Sequence, residues 1–279
     1  MGTPPYENLY VYEVEGEVFG SRDFLKDDFI GCWNEAGGAF LFFSSPHDEE
    51  VELFLKGQGR QLLSRHFMDY RSWQAGEELK PFQVGNLLFC PPWENVTVEE
   101  DTIVVWLDPS VVFGTGAHPT TRSCLEALWQ IYQKERPGRV LDLGTGSGIL
   151  AVAAAKWGAQ RILAIDCNEL AVDTARRNVT LNEEEGRIEV SPGRAEDFVA
   201  LPSDLVCANL HRSVIESLIA RVTFFEKRWI VLSGLFLKEI SPMETILNRK
   251  GIETFLKIET APWGTWVGLN EKIPLHCET

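Results

Sequence analysis

The chain has 279 residues, 44% of them hydrophobic and 24% charged, which excludes a disordered or fibrous chain and leaves room for one large α/β domain or two ordinary ones. Its 26 Lys and Arg against 41 Asp and Glu give a net charge of −15, and residues 1–100 alone hold 18 acids against 7 bases. Such a field repels a phosphate backbone and attracts a cation, so nucleic acid is not expected as a direct substrate and a basic protein is; surface acids that merely keep the chain soluble are the alternative reading.

In chain order, Leu9-Tyr10-Val11-Tyr12-Glu13-Val14 alternates as a strand and Ala39-Phe40-Leu41-Phe42-Phe43 reads as a second, buried one. A helix is predicted over 48–68, with Val51, Leu53, Phe54, Leu55, Leu62, Leu63 and Phe67 as its apolar side. Short strands follow at Phe82-Gln83-Val84 and Leu87-Leu88-Phe89-Cys90, stopped by Pro91-Pro92, and another at Ile103–Leu107. Short strands with a helix before residue 90 predict a small α+β domain over 1–90, whose aromatics Tyr10, Tyr12, Phe40, Phe42 and Phe43 are expected in its core. Residues 91–117 are expected as a linker and lid, and 118–279 as a second domain.

From residue 138 apolar strands alternate with helices. Strands are predicted at 139–143, 161–166, 188–190, 204–209 and 229–233, and helices at 149–157, 168–182, 213–224 and 238–250. Crossover connections of this kind mean a mainly parallel, doubly wound sheet. Two last strands, Ile252–Thr260 and Thr265–Leu269, flank a Pro262-Trp263-Gly264 turn, so the final strand should enter antiparallel.

Six scattered cysteines, Cys32, Cys90, Cys124, Cys167, Cys207 and Cys277, contain no C-x-x-C pair, so reduced thiols are expected and neither a metal site nor a disulfide framework. No apolar run nears the roughly 18 residues of a membrane helix. The opening Met1–Glu7 lacks the pattern of a secretory signal, and Tyr6 stands where a myristoylation motif wants Ser or Thr. A cytoplasmic chain is expected, with a monomer favoured.

Asp142-Leu143-Gly144-Thr145-Gly146-Ser147-Gly148 falls where the first of these strands turns into a helix, at the carboxyl edge where such sheets bind ligands. A dinucleotide loop wants G-x-G-x-x-G; here the spacing is G-x-G-x-G and Ile149 replaces the third glycine. Asp142 before the loop would repel a pyrophosphate and suits a cation. S-adenosyl-L-methionine, with its ammonium and sulfonium, meets that requirement. Asp166, 22 residues beyond Gly144, closes the next strand where a carboxylate can hold both ribose hydroxyls. Upstream, Asp108 to Thr121 (DPSVVFGTGAHPTT) leads into a helix over 120–134; Pro119 suits its first turn and the hydroxyls at 120 and 121 can cap it.

These motifs carry a resemblance. Leu107-Asp108-Pro109, Phe113-Gly114-Thr115-Gly116 with His118-Pro119-Thr120-Thr121, Val140 to Leu150, Ala208-Asn209-Leu210 and Leu232-Ser233-Gly234 resemble, in this order, the ribosomal protein methyltransferase family of the PrmA type. That family modifies amino groups of the stalk-base protein L11 of the large ribosomal subunit. Lys80-Pro81-Phe82 through Pro91-Pro92-Trp93-Glu94 is similar to the family's domain junction, and the likeness covers about residues 65–270. The resemblance implies a seven-stranded class I methyltransferase domain, of Rossmann-like form, behind a small substrate-recognition domain. It implies cofactor contacts at Phe113, Gly114, Thr121, Gly144, Asp166 and Asn209, to which the loop itself adds Asp142, Gly146 and Gly148.

Asn209 is expected to orient the acceptor amine and Thr115 to stand in the lid, the two residues assigned to catalysis. His118 and His211 are candidate bases, each with a structural reading beside it. Two departures from the family are Ala117, where a polar residue is usual, and His211-Arg212 after Leu210, which could reshape the acceptor pocket. The partner implied is a basic protein, a ribosomal one by the resemblance. An NAD-type oxidoreductase, a methyltransferase of another protein or of a small molecule, and a cofactor-binding module without catalysis stand as alternatives.

Overall fold

The computed structural model describes residues 6–21, 28–35, 37–70 and 80–276; Met1–Pro5 and Cys277 lie outside them. The chain divides into two compact units, residues 1–79 with 168–170, and residues 80–167 with 171–279.

The smaller unit is a four-stranded antiparallel sheet of β1 (Asn8–Glu15), β2 (Phe29–Glu35), β3 (Gly38–Phe43) and β4 (Leu62–Asp69), in the order β2-β3-β1-β4. Helix α1 (Asp48–Gly57) closes its core, packing Val51, Phe54 and Leu55 with Tyr12, Val14, Leu41 and Phe43. Phe42 is also buried, whereas Tyr10 and Phe40 are half-buried.

Two elements differ from the sequence reading. The helix predicted over 48–68 ends at Gly57, and residues from Leu62 form β4, with Tyr10 opposite Phe67 and Tyr12 opposite Arg65. Leu63 and Phe67, counted among its apolar side, are 56% and 63% exposed. The break is made by Gly57-Gln58-Gly59: Gly59 takes a φ of +64°, where a side chain is strained, and the amide of Arg60 returns to the carbonyl of Leu55. Strand β2 is hard to see in the sequence because Gly31 and Asn34 interrupt its apolar run.

In the larger unit β5 (Phe82–Val84), β6 (Leu87–Cys90) and β7 (Ile103–Trp106) form a small sheet in that order, β6 and β7 being parallel. Residues 80–90 therefore group with this unit and not with the N-terminal domain, and β7 lies inside the stretch expected as linker. The reason is burial: Phe82 stacks on Phe89 at 4.9 Å, and Leu87 and Val105 are fully covered.

The main sheet has seven strands: β8 (Arg139–Leu143), β9 (Arg161–Asp166), β10 (Ile188–Pro192), β11 (Leu205–Asn209), β12 (Trp229–Phe236), β13 (Glu253–Thr260) and β14 (Trp263–Leu269). Their order is β10-β9-β8-β11-β12-β14-β13; the first five are parallel, and β14 is antiparallel to both neighbours, as the terminal hairpin foretold. Helices α2 (Pro119–Lys134), α3 (Ile149–Lys156), α4 (Glu169–Leu181), α5 (Ala195–Phe198), α6 (Arg212–Ile219) and α7 (Leu237–Arg249) complete the doubly wound α/β architecture. The helix expected over 213–224 stops at Ile219, and Val222–Glu226 is a 3-10 turn that buries Phe224. Strand order reverses between β8 and β11, which opens a crevice at their carboxyl ends. No helix among the described residues is long and apolar enough to cross a membrane.

The chain break after α1 is testable. A Cβ on Gly59 would meet nothing within 4 Å, so Gly59→Ala carries only the conformational cost of the left-handed region, about 1 kcal/mol. Urea unfolding of the smaller unit should shift its midpoint down with an unchanged slope.

Candidate active site

The glycine loop leaves β8 and runs into α3. Its turn is set by the amides of Gly144 and Thr145, which both donate to the carbonyl of Ile165 in β9, and by Gly148, which stands before the first turn of α3. Across it lies the segment from Leu107 to Ala117, here called the strap. Ser147, fully buried, donates its amide to the carbonyl of Phe113 (3.0 Å) and its hydroxyl to that of Gly114 (2.5 Å). A Cβ on Gly146 would come within 2.5 Å of the Phe113 carbonyl, so only glycine admits the strap this closely. At the strap's far end Arg122 donates to the carbonyl of Gly116 and lies over the Phe82 ring. Thr115 is buried and its hydroxyl accepts from the amide of Ala117 at 3.4 Å. Phe113 is 44% exposed.

The acids occupy adjacent strand ends. Asp142 is buried in β8; Oδ2 accepts the Thr145 hydroxyl at 2.6 Å, while Oδ1 accepts no hydrogen bond of good geometry. Asp166 closes β9, half-buried, and accepts the amide of Gly146 at 2.9 Å. Thr121, at the start of α2, is likewise buried with an unpartnered hydroxyl. The expectation that Thr120 and Thr121 cap this helix is corrected: His118 is the cap, its Nδ1 accepting the amide of Thr120, because Pro119 occupies the first helical position.

That cap orients Asn209. Since Nδ1 of His118 accepts an amide it carries no proton, so the Thr120 hydroxyl 2.7 Å away donates to it. Oγ1 of Thr120 then accepts from Nδ2 of Asn209 at 3.3 Å, and Oδ1 of Asn209, at the carboxyl end of β11, is left to receive a donor. Beside it runs a row of rings: Phe113 on His118 (5.1 Å), His118 on Trp263 (5.2 Å) and Trp263 stacked on Phe236 (4.6 Å), with Phe236 41% exposed. Trp263 and Phe236 were not singled out in the sequence; both sit where β14 and β12 pair, a register that pattern alone does not reveal.

His211 and Arg212 have other tasks. His211 is exposed and caps α6 through Nδ1, and Arg212, also exposed, pairs with Glu216 at 2.6 Å and Glu239 at 3.3 Å. A groove of about 730 Å³, lined in part by Arg139, Arg161 and Arg187, lies at the opposite, amino-terminal ends of β8, β9 and β10 and includes none of the candidate residues.

The family model described as ribosomal protein L11 methyltransferase (PrmA) matches residues 57–273. The ribosomal protein L11 methyltransferase of Alkaliphilus oremlandii is 35% identical over 205 residues, 72% of this chain and 63% of that protein. That of Ruminiclostridium cellulolyticum is 29% identical across 94% of this chain and 88% of its own. The crystal structure of ribosomal protein L11 methylase from Lactobacillus delbrueckii subsp. bulgaricus superposes with a TM-score of 0.57 at 27% identity, covering 66% of this chain and 95% of that one. The chain spans less than two thirds of the length of the first of these relatives.

Burial, opposed by the Thr145 hydroxyl and the backbone amide of Ala151 and reinforced by the nearby Asp166 charge, pushes the Asp142 carboxyl up to about 7. Between about pH 4 and 7 the folded chain thus holds a proton that the unfolded chain has released, so this group's contribution to stability falls as pH rises through that window. Asp142→Asn should be more stable than the parent at pH 8, by up to about 4 kcal/mol, and no more stable at pH 4, as measured by denaturant unfolding at the two pH values.

Proposed function

The chain belongs to the ribosomal protein L11 methyltransferase (PrmA) family, and on that premise we propose that it moves a methyl group from S-adenosyl-L-methionine to amino groups of a basic ribosomal protein, L11. The observation that carries this reading is that Asp142 and Asn209 both stand near the carboxyl ends of the adjacent strands β8 and β11. One offers a buried carboxylate whose Oδ1 accepts no hydrogen bond of good geometry, the other a side-chain amide whose nitrogen is engaged by Thr120.

The residues fit the donor. A cation is what the Asp142 oxygen lacks, and its ammonium would supply one, with the unpartnered Thr121 hydroxyl available to the same polar end. Asp166 would take the ribose hydroxyls, while Gly144, Gly146 and Gly148 let Leu210, Phe113 and Ala175 close in on the loop that would carry it. Phe113, Gly114 and Thr115 of the strap would wall it. When bound, S-adenosyl-L-methionine supplies a methyl carbon already activated by its sulfonium.

The chain's own task is to present a neutral, aligned amine. A lysine amine has a pKa near 10.4 and is almost wholly protonated in neutral water; a dry site lowers it and sheds the proton to solvent. Oδ1 of Asn209 then accepts one N–H and aims the lone pair. His118 and His211 both spend Nδ1 on helix caps, so neither ring offers that nitrogen as a base. Burial also lowers the His118 pKa, which keeps its ring neutral.

The acidic first hundred residues supply the partner argument. Their field would speed encounter with a lysine-bearing protein, in an ionic-strength-dependent manner.

Labelled S-adenosyl-L-methionine should mark purified L11, and peptide mapping should place the label on amino groups; no transfer to L11 by an enzyme that binds the donor would overturn the substrate. Asn209→Ala should lower kcat by about 10²-fold while the affinity for S-adenosylhomocysteine, read by calorimetry, is kept. Asp142→Ala should do the reverse, weakening donor affinity by about tenfold. The on-rate for L11 should fall as salt is raised, and an insensitive rate would discard the steering role.

A further inference from the structure

Asn178, in helix α4, and Asn182, one residue past its end, stand one turn apart and are buried with Ala171, Ala175 and Val179. A buried amide with an unmet group is destabilising, yet both of these are heavily engaged. Oδ1 of Asn182 accepts the amide of Trp106 at 2.9 Å, and Nδ2 donates to the carbonyls of Trp106 and Asn178, each at 2.7 Å. Oδ1 of Asn178 accepts the amide of Asp108 at 2.8 Å. Its Nδ2 gives one hydrogen to the carbonyl of Asp108 (2.9 Å) and the other to the carbonyl of Ser147 (2.8 Å).

The geometry has a simple basis. Four residues of helix rise about 6 Å, and two residues of extended chain about 6.6 Å, so side chains at i and i+4 can read alternate residues of a strand. Asn182 and Asn178 do so at Trp106 and Asp108, serving where a neighbouring strand's backbone would. Only Asn178 goes further, because its amide nitrogen also holds Ser147. That residue in turn holds Phe113 and Gly114 through its own amide and hydroxyl.

We propose that Asn178 is a positioning residue for methyl transfer, one amide group setting the spacing between the strap and the glycine loop and so the place of Phe113, Gly114 and Thr115 beside the donor. The link to the donor rests on the function proposed above; the strap-to-loop coupling does not. Asp is the diagnostic replacement. It keeps the volume and the acceptor for Asp108, but sets a second oxygen against two carbonyl oxygens. Asn182→Asp makes the same change one turn away, where Ser147 is not involved.

Hydrogen exchange on the full chain without ligand, with donor kinetics on the same preparations, provides the test. Asn178→Asp should speed exchange of amides 108–116 while β8, β9, β11 and β12 keep the parent's protection. The KM for S-adenosyl-L-methionine and the dissociation constant of S-adenosylhomocysteine should rise by about tenfold, and kcat at saturating donor should change far less. Asn182→Asp should loosen β7 and leave that dissociation constant within about twofold. Should the carboxylate prevent folding, Asn178→Ser, which keeps one hydroxyl donor, takes its place in the same comparison. Unaltered strap exchange, equal loss of affinity in the 178 and 182 variants, or a fall in kcat at constant KM overturns the proposal. A parent that binds no S-adenosylhomocysteine overturns the donor reading instead, and the exchange comparison still decides the coupling.

Discussion

Asp142 is a carboxylate taken out of water with only half of its hydrogen-bonding capacity met by the protein. Burial of a charge is among the most unfavourable things a fold can do, and here it is done at the end of a central strand, one residue before the chain turns. On the function proposed above, the ammonium of the methyl donor makes that deficit good. Around it, Thr121 adds a second buried hydroxyl without a partner, and Nδ2 of Asn209 is held by Thr120, whose own hydroxyl lies against the capping His118.

The fold itself was largely legible. Parallel strands buried on both faces read as short apolar runs, and all but the third and fourth were separated by a helical pattern, the short α5 between those two going unseen, so the doubly wound sheet and its antiparallel last strand follow from the residues. The segment from 48 to 68 was not, because Leu and Phe at mixed spacing suit a helix or an edge strand equally. There the decision belonged to two glycines around Gln58 and not to the apolar pattern. The domain boundary slipped for a related reason: β5 and β6 look like the end of one unit until β7, thirteen residues beyond β6, is seen to pair with them.

Of the site, the residues in the loop and strap could be named because backbone geometry demands glycine and because strand ends carry the acids. Their wiring could not. That Thr120 and not Thr121 meets Asn209 depends on which residue opens α2, and that Trp263 reaches His118 depends on the pairing of β14. Asn178 left a faint trace: an amide in the inward stripe of an amphipathic helix, beside Ala171, Ala175 and Val179.

The position of β14 has a consequence for biosynthesis. It lies between β12 and β13, so β13 is made first but has no strand of the main sheet to lie against until residues 263–269 exist. While the chain is emerging from the ribosome, β12 therefore presents an open flank and β13 an unmatched ribbon, both adhesive to other nascent chains. Closure of the main sheet therefore waits until residues 263–269 have left the ribosome.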